Sequence, residues 1–471
     1  MKIETIFPQK IIECSSKKNT RCLLKKNILQ PELSNDKCVY IKNGHIILDF
    51  GKEYYGEPHI VTSFIDGGKP IKMRVRYGES LSECCSSIGE NGASNDHAIR
   101  DYVLDLPLYA NASLPKSGFR FMRIDFLDEQ CGVYIKSIAL QIKKDERKPI
   151  YTYQGKDELI KRIFETAKRT VDLCSLNGLV WDGIKRDELV WAGDMHPEAL
   201  ALFTLYGKSK ELEASIDFLR KGHKLPRYMN DFPTYSLWWM AVVSDYYFNN
   251  PNNESFIKKQ LPYIQGLVKQ YDEVIKDNGE LNFPQYFVDW PTVDSKDVLA
   301  GSRAIAIIGI NKVKTLLKAF NLPVEHCDSA LRKLNKIEIV VQEKKQVVAL
   351  KYLATGKMND EEYQLLIKGG AEGISTFMSY YILNAIASRD EQLAIKIMKE
   401  YYGAMLDLGA TTFFEDFDIK WMKDAARIDE FAKEGQHDVH KEYGKYCYLG
   451  YRHSLCHGWS AGVIKFIKEH C

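Results

Sequence analysis

Two short stretches of this 471-residue chain concentrate carboxyl groups beside aromatic rings. Residues 181–194 read WDGIKRDELVWAGD, and residues 409–418 read GATTFFEDFD. A buried segment does not tolerate so many charges unless they are paired, and a solvated turn has little use for tryptophan. Hydrolysis of a glycosidic bond needs two carboxyl groups, one that donates a proton and one that activates water or attacks the sugar. The two stretches therefore indicate a polar cleft that carries the side chains for this chemistry.

Each stretch also has a purely structural interpretation. Asp194 precedes MHPEALALF, so it has the position of a helix N-cap with Pro197 in the first turn. Thr412 and Glu415 have the T-x-x-E spacing of a capping box. Spacing alone leaves the catalytic and the capping interpretations open.

The motifs and their order resemble those of the family 78 α-L-rhamnosidases. DGIKRDELVWAGD is similar to the family signature D-C-P-x-R-E-x-L-G-W-x-G-D, GATTFFEDFD to the later segment G-A-T-T-x-W-E, and YRHSLCHGWSAG to the C-terminal part of that family. The resemblance covers the chain from about residue 45 to its end. It implies a β-sandwich followed by an (α/α)6 barrel, and inverting hydrolysis of a terminal α-L-rhamnosyl or related residue.

The resemblance also implies roles for individual residues. Glu415 has the position of the general base, and Asp182 and Arg186 have those of residues that hold sugar hydroxyls. The other side chains that we expect in the sugar pocket are aromatic, acidic or imidazole groups near the motifs, namely Trp191, Asp194, Trp239, Asp289, Trp290, His457 and Trp459. Tryptophan rings stack on pyranose faces while acids bind hydroxyls. Core packing is the alternative for Trp239 and His457.

The proton donor has two candidates. Aligned without a gap, Arg186, Trp191 and Asp194 match the Arg, Trp and final Asp of the family, which gives the position of the acid to Asp187. A longer family variant, D-C-P-x-R-D-E-R-L-G-W, selects Glu188 but requires a deletion before Trp191. In a helical segment Asp187, Trp191 and Asp194 would share a face and Glu188 would point about 100° away. We therefore favour Asp187.

Several positions depart from the family pattern. Gly183 and Ile184 replace the usual Cys-Pro, Asp187 is one methylene shorter than Glu, and Phe417 stands where a tryptophan often follows the base. Two other functions stay open: a carbohydrate-binding relative that has lost the acid, and a polysaccharide lyase on a similar helical barrel, with a Tyr or His base.

The hydrophobic pattern divides the chain into two parts. Residues 38–145 alternate with period two between glycine-rich turns, which predicts antiparallel strands. From about residue 153 the spacing is helical and predicts ten or more helices, which suit a closed ring of helical hairpins. We predict a β-sandwich domain over 1–150 and an (α/α)6 barrel over 151–471.

Composition narrows the partners. A net charge of +2 argues against nucleic acid, and no apolar run reaches the roughly 18 residues of a membrane helix. The N-terminal segment does not have the pattern of a signal peptide, which favours the cytoplasm unless the natural N-terminus has been trimmed. A homodimer is left open.

Cysteine and histidine spacing gives no frame for a metal. The eleven cysteines lack CxxC pairs, which favours reduced thiols. His437 with His440, and His453 with His457, have helical spacing for zinc but lack an HExxH frame. We expect neither a metal nor another cofactor, and a carbohydrate as the partner.

Overall fold

The computed structural model describes residues 2–445 and 449–471. The first part of the chain forms nine antiparallel strands, as the period-two pattern predicts. They are β1 (Ile3–Ile6), β2 (Lys10–Cys14), β3 (Val39–Lys42), β4 (Gly44–Ile65), β5 (Ile71–Gly78), β6 (Asp101–Leu106), β7 (Asn111–Ser113), β8 (Ser117–Phe126) and β9 (Gly132–Lys143). The short helix α1 (Leu81–Cys85) follows β5.

The long strand β4 joins two regions of the sheet. Its first half pairs with β2 and β8, and its second half pairs with β7 and β9. The register with β8 shifts between Asp49 and Tyr54, and such bulges bend a strand. Ile46, Leu48 and Phe50 from the first half and Ile60 from the second belong to one buried apolar core. This core holds the sheet region together.

The rest of the chain is mainly helical, as the period of 3.6 predicts. The helices are α2 (Glu158–Cys174), α3 (Met195–Tyr206), α4 (Lys210–Gly222), α5 (Pro233–Asn249), α6 (Glu254–Lys258), α7 (Leu261–Val274), α8 (Val298–Ala319), α9 (Glu325–Leu334), α10 (Lys345–Thr355), α11 (Asp360–Ile367), α12 (Ser379–Ala387), α13 (Glu391–Asp407), α14 (Val439–Glu442) and α15 (Val463–His470). Two-residue strands β10 (Ala425–Ala426) and β11 (His437–Asp438) pair in parallel.

Six of these helices pack in a closed series. Helix α3 contacts α5, α5 contacts α8, α8 contacts α10, α10 contacts α12, α12 contacts α15, and α15 returns to α3. Helices α3 and α5 are buried almost all round, as expected for helices with apolar residues on every face. Helix α9 buries only Cys327, Ala330, Leu331 and Leu334, which form one stripe facing the series.

Two further observations bear on the sequence expectations. The ten cysteines within the described residues are free thiols, and Cys447 lies outside those residues. Every helix in the described part of the chain is too short or too polar to cross a lipid bilayer.

Candidate active site

Backbone hydrogen bonds join the first motif loop, which follows α2, to the loop before a 3-10 helix at Gly458–Gly462. Gly183 and His457 form an isolated antiparallel bridge. Next to it, Gly458 N donates to the carbonyl oxygen of Asp182 at 2.7 Å. The first and third motifs, more than 250 positions apart in the sequence, therefore form one wall.

Glu415, from the loop after α13, is fixed by backbone groups of the third motif. Its N–H donates to Ser454 O at 2.9 Å, and its Oε2 accepts from Ser454 N at 2.9 Å. Trp459 Nε1 donates to the carbonyl oxygen of Glu415 at 2.9 Å. Burial, followed by the neighbouring Asp187, raises the pKa of Glu415 well above its usual range, and Arg186 opposes this rise.

The guanidinium of Arg186 connects the carboxyl groups of the first two motifs. Nη1 contacts Asp187 Oδ1, and Nη2 lies 3.7 Å from Glu415 Oε2. Nε donates to the carbonyl oxygen of Arg452 at 2.8 Å. Asp187 and Glu415 are each only 2% exposed, so these charges interact in a site with little access to water.

His457 lies between the base candidate and a second acid. Its Nε2 is 3.5 Å from Glu415 Oε1 and 4.0 Å from Asp194 Oδ2. Burial, reinforced by Arg186, lowers the pKa of His457 well below its usual value, so the imidazole is neutral. Burial raises the pKa of Asp194 to about 7, although Tyr235 donates a hydrogen bond to its Oδ1 at 3.1 Å.

Neither capping interpretation holds. Residues 411–417 are not helical, and Thr412 Oγ1 donates to Leu455 O at 2.8 Å while Glu415 holds the contacts described above. Asp194 does stand at the N-cap position of α3, but its side chain makes no capping hydrogen bond with any described residue. Its carboxylate instead points towards His457, whose Nε2 lies 4.0 Å away.

Asp182 organises the first motif loop. Its Oδ1 accepts from Gly183 N at 2.9 Å and from Leu189 N at 3.0 Å. Burial, Asp187 and Asp194 raise the pKa of Asp182 well above its usual range. The absence of a side chain at position 183 is required, because a Cβ there would lie 2.5 Å from Asp187 Oδ2. Glycine in place of the family's cysteine therefore makes room for the Asp187 carboxylate.

The structure separates Asp187 from Glu188, but for a different reason from the one we expected. Residues 182–190 form turns and bridges and not a helix, so the helical premise is wrong. Glu188 has a φ of 55°, in the left-handed region, and hydrogen-bonds with Tyr55 of strand β4. Burial raises its pKa, and Tyr55 and Lys116 oppose the rise. The Glu188 side chain thus faces away from the contacts that Arg186 makes with Asp187 and Glu415.

Several of the predicted aromatic residues lie at the site. Trp459 stacks on Phe377, with ring centroids 5.0 Å apart at 11°, and its ring centroid is 4.2 Å from that of His457. Trp191 packs edge-on against Tyr235 at 6.1 Å. A small pocket opens beside Glu415, and its lining includes Asp289, Trp290, Ser375, Thr376, Asp416 and Trp459.

Asp289 and Trp239 have different surroundings. Asp289 Oδ2 accepts from Ser375 Oγ at 2.6 Å and its Oδ1 accepts from Thr292 Oγ1, while burial raises the pKa of Asp289. Trp239 is completely buried in α5 and donates to Ile216 O at 3.3 Å, away from the cluster. The prediction of a sugar-binding role for Trp239 is therefore wrong, because its ring is part of the helical core.

Sequence reasoning missed one acid near the site. Glu198 lies on the buried helix α3, one turn after Asp194, and is 1% exposed. Its Oε1 hydrogen-bonds to none of the described residues, and burial followed by Asp194 and Asp182 raises its pKa well above the usual range. An acid on an otherwise apolar helix was the signal that could have identified it.

Among the residues that the structure describes, two clusters bring together atoms that ligate metals in other proteins. One ligand atom from each of Asp182, Asp187 and His457 lies within 4.8 Å of the others, and the same holds for Glu79, Glu83 and His440. In the second cluster, Lys185 Nζ lies 3.2 Å from Glu79 Oε2 and 3.1 Å from Glu83 Oε1. An ammonium group therefore contacts both of these acids.

No protein-family profile matches the chain, and no curated protein matches it by sequence. Solved structures do match. A rhamnosidase from Klebsiella oxytoca with rhamnose bound is 18% identical with a TM-score of 0.76, over 99% of this chain and 96% of that one. A GH78 family rhamnosidase of Bacillus sp. GL1 is 17% identical with a TM-score of 0.70, over 90% and 46% of the two chains.

A third structure gives the same result. The α-L-rhamnosidase from Dictyoglumus thermophilum is 15% identical with a TM-score of 0.68, over 99% of this chain and 51% of that one. This chain thus spans nearly all of the Klebsiella protein and about half of the other two. The fold of the chain is that of the family 78 α-L-rhamnosidases, as the three motifs predicted.

Proposed function

We propose that the protein is a glycoside hydrolase that removes a terminal α-L-rhamnosyl or related residue from an oligosaccharide or glycoside, with inversion at the anomeric carbon. The observation that carries this proposal is the contact of one buried guanidinium, that of Arg186, with both Asp187 and Glu415. It brings two carboxyl groups from distant motifs to one place, as the reaction requires. The fold shared with solved α-L-rhamnosidases supports it.

Asp187 is the proposed acid and Glu415 the proposed base. In inverting enzymes the two carboxyl groups stand about 6.5–9.5 Å apart, which leaves room for a water beside the base. Asp187 gives its proton to the glycosidic oxygen while Glu415 accepts a proton from the water that attacks the opposite face of the sugar. Because Arg186 contacts Asp187, the sugar hydroxyls must draw the guanidinium aside before Asp187 can donate.

The base must be ionised to work. Burial and Asp187 raise the pKa of Glu415, whereas Arg186 and the Ser454 N–H stabilise its charged form. We therefore expect the acid limb of the activity profile to lie above the ordinary glutamate range and to depend on these two groups.

The remaining polar and aromatic groups are proposed to hold the sugar. Asp182, Asp194 and His457 line the acidic side, and Asp289, Trp290 and Trp459 line the pocket beside Glu415. Trp191 is proposed to border the same site through Tyr235. The chemistry requires no metal ion.

We propose that the helical part of the chain is an (α/α)6 barrel that carries this site. The closed series α3, α5, α8, α10, α12 and α15 is the proposed inner ring, and the other long helices surround it. The sheet region, bent at β4, is the proposed β-sandwich. We propose units of 1–150 and 151–471, since β9 ends at Lys143 and α2 begins at Glu158.

Turnover on aryl glycosides tests the proposal. We expect release of the aryl group from an α-L-rhamnoside, or from a related deoxyhexoside or hexoside, and loss of release in Glu415→Gln. NMR of the first-formed sugar should show the inverted anomer. Retention would exclude the inverting mechanism, and absence of turnover on every sugar would exclude the hydrolase.

A sugar-binding protein without activity is the second candidate. The short Asp187 side chain and its contact with Arg186 favour it, because both keep the carboxyl group away from a leaving group. Calorimetric binding of L-rhamnose, combined with no turnover on any aryl glycoside, would support this alternative.

A further inference from the structure

The sheet domain sends one carboxylate to the back of the candidate active site. Glu79 stands between β5 and α1 and is 1% exposed. The turn that directs it depends on Gly78, because a Cβ there would lie 2.4 Å from Cys84 N. Glu79 therefore follows a tight turn at the end of β5 and contacts Leu455 in the helical part of the chain.

Glu79 hydrogen-bonds to the 454–455 loop, which in turn hydrogen-bonds to Glu415, the proposed base. Its Oε2 accepts from Leu455 N at 2.7 Å, and its Oε1 accepts from Ser454 Oγ at 3.3 Å. The Ser454 N–H in turn donates to Glu415 Oε2 at 2.9 Å. The position of the base carboxylate is thus set by a loop whose own partner comes from the sheet domain.

The Glu79 carboxylate also contacts Lys185, in the loop that carries Asp187, the proposed acid. Lys185 Nζ lies 3.2 Å from Glu79 Oε2 and 3.1 Å from Glu83 Oε1, and it donates to His453 O at 2.6 Å. Lys185 directly precedes Arg186 in the chain. Lys185 and Glu79 are almost completely buried, where a fully paired network holds one geometry and a lost partner leaves a charge uncompensated.

We propose that Glu79 is a positioning residue through which the sheet domain fixes the acid loop and the base loop relative to each other. The inference rests on the proposed function, which assigns Asp187 and Glu415 their roles. Glu79 itself acts through Lys185 and the backbone at 454–455, and not on the sugar. The sheet domain thereby becomes part of the catalytic apparatus.

Glu79→Gln with Glu362→Gln as its matched control tests the proposal in the full chain. Both changes remove a buried negative charge beside a lysine, Lys185 for Glu79 and Lys351 for Glu362 of α11, but only Glu79 contacts the 454–455 backbone. We expect kcat to fall about 100-fold in Glu79→Gln, with KM within about threefold, because small displacements of catalytic groups are costly. In Glu362→Gln we expect a loss below about twofold.

The pH profile separates positioning from a general loss of structure. If Ser454 N–H moves away from Glu415, the charged form of the base loses a donor and its pKa rises. The acid limb of kcat should therefore move to higher pH by at least about half a unit in Glu79→Gln. It should stay in place in Glu362→Gln.

Hydrogen exchange gives a readout that does not depend on turnover. The amide of Leu455 should exchange faster in Glu79→Gln than in wild type, and should be unchanged in Glu362→Gln. Glu79→Asp keeps the charge for Lys185 but shortens the reach to Leu455 N, so it should show the same kinetic effect if Glu79→Gln does not fold.

The outcomes are distinct. A wild type without turnover on any sugar overturns the proposed function, and Leu455 exchange still tests the positioning role. Equal kcat, equal pH profiles and equal Leu455 exchange in Glu79→Gln and Glu362→Gln would overturn the role of Glu79 while leaving the hydrolase intact.

Discussion

His457 Nε2 lies 3.5 Å from Glu415 Oε1, and both side chains are almost completely buried. Because burial lowers the pKa of His457 well below its usual value, this is a contact between a neutral ring and a carboxyl group, not an ion pair. The imidazole therefore contacts the Glu415 carboxyl group without adding charge to the site.

His457→Gln should lower kcat/KM by about 10- to 100-fold, because one polar contact to the base and the ring beside Trp459 are lost. The variant should keep the wild-type limbs of the pH profile, since a neutral His457 contributes none. Steady-state kinetics from pH 4 to 9 measure both. His326→Gln, at an exposed histidine paired with Asp272, should stay within about twofold. Loss of a limb in His457→Gln would show that the imidazole titrates.

The two adjacent acids should differ sharply. Asp187→Asn should lower kcat by about 100-fold or more, because it removes the proposed proton donor. Glu188→Gln should stay within about threefold, since Glu188 faces Tyr55 and Lys116. Both variants should be assayed on the same aryl glycoside with matched thermal unfolding. Equal losses, or a larger loss in Glu188→Gln, would transfer the acid role to Glu188.

The space at Gly183 provides a test without removing any functional group. Gly183→Ala places a Cβ 2.5 Å from Asp187 Oδ2 and 3.1 Å from Cys456 O, so the Asp187 carboxylate has to move. We expect kcat to fall about tenfold or more, since a shift of this size disturbs a catalytic group. Gly222→Ala, where a Cβ meets nothing within 4 Å, is the control and should keep wild-type activity. Wild-type kinetics in Gly183→Ala would show that Asp187 needs no fixed position.

A sheet region followed by many helices could be predicted from the hydrophobic period, because strands and helices bury different faces. The choice of Asp187 over Glu188 came from spacing to Trp191, whereas the structure separates them through the left-handed backbone at Glu188 and through Tyr55. Trp239 was misassigned because helical spacing alone does not distinguish a core face from a pocket face. The sequence did not indicate that Tyr55 lies beside Glu188.

Glu79 is another residue whose long-range partners could not be predicted from the sequence. Its contact with Ser454 joins residues 375 positions apart, and no local pattern marks such a pair. An acid after a strand reads as an ordinary turn residue until the fold brings Lys185 to it. Polar pairs that join distant residues in a buried interface therefore could not be predicted from the sequence.

Asp194 makes the stability of the protein depend on pH. Burial raises its folded pKa to about 7 from an ordinary value of 3.8, so the folded state binds more protons than the unfolded state between these values. The free energy of unfolding contributed by Asp194 therefore falls as pH rises from about 4 to about 7, and levels off above that. The whole change is about 4 kcal/mol, taken from the shift between the two pKa values.

Asp194→Asn should remove this dependence while keeping an acceptor for Tyr235. Urea unfolding at pH 5 and pH 7.5 should show wild type losing stability between the two values by more than the variant does. Because Asp194 raises the pKa of Glu198 and of Asp182, the difference between the two proteins reports Asp194 together with its effect on these two neighbours. Asp245→Asn is the control, because His196 and Lys312 offset burial and lower the pKa of Asp245. Since that folded pKa is depressed, Asp245 stabilises the fold above its unfolded pKa, and its contribution is already complete at pH 5. Parallel pH slopes in wild type and Asp194→Asn would show that the pKa of Asp194 lies near its ordinary value, and would contradict the effect of burial on this carboxyl group.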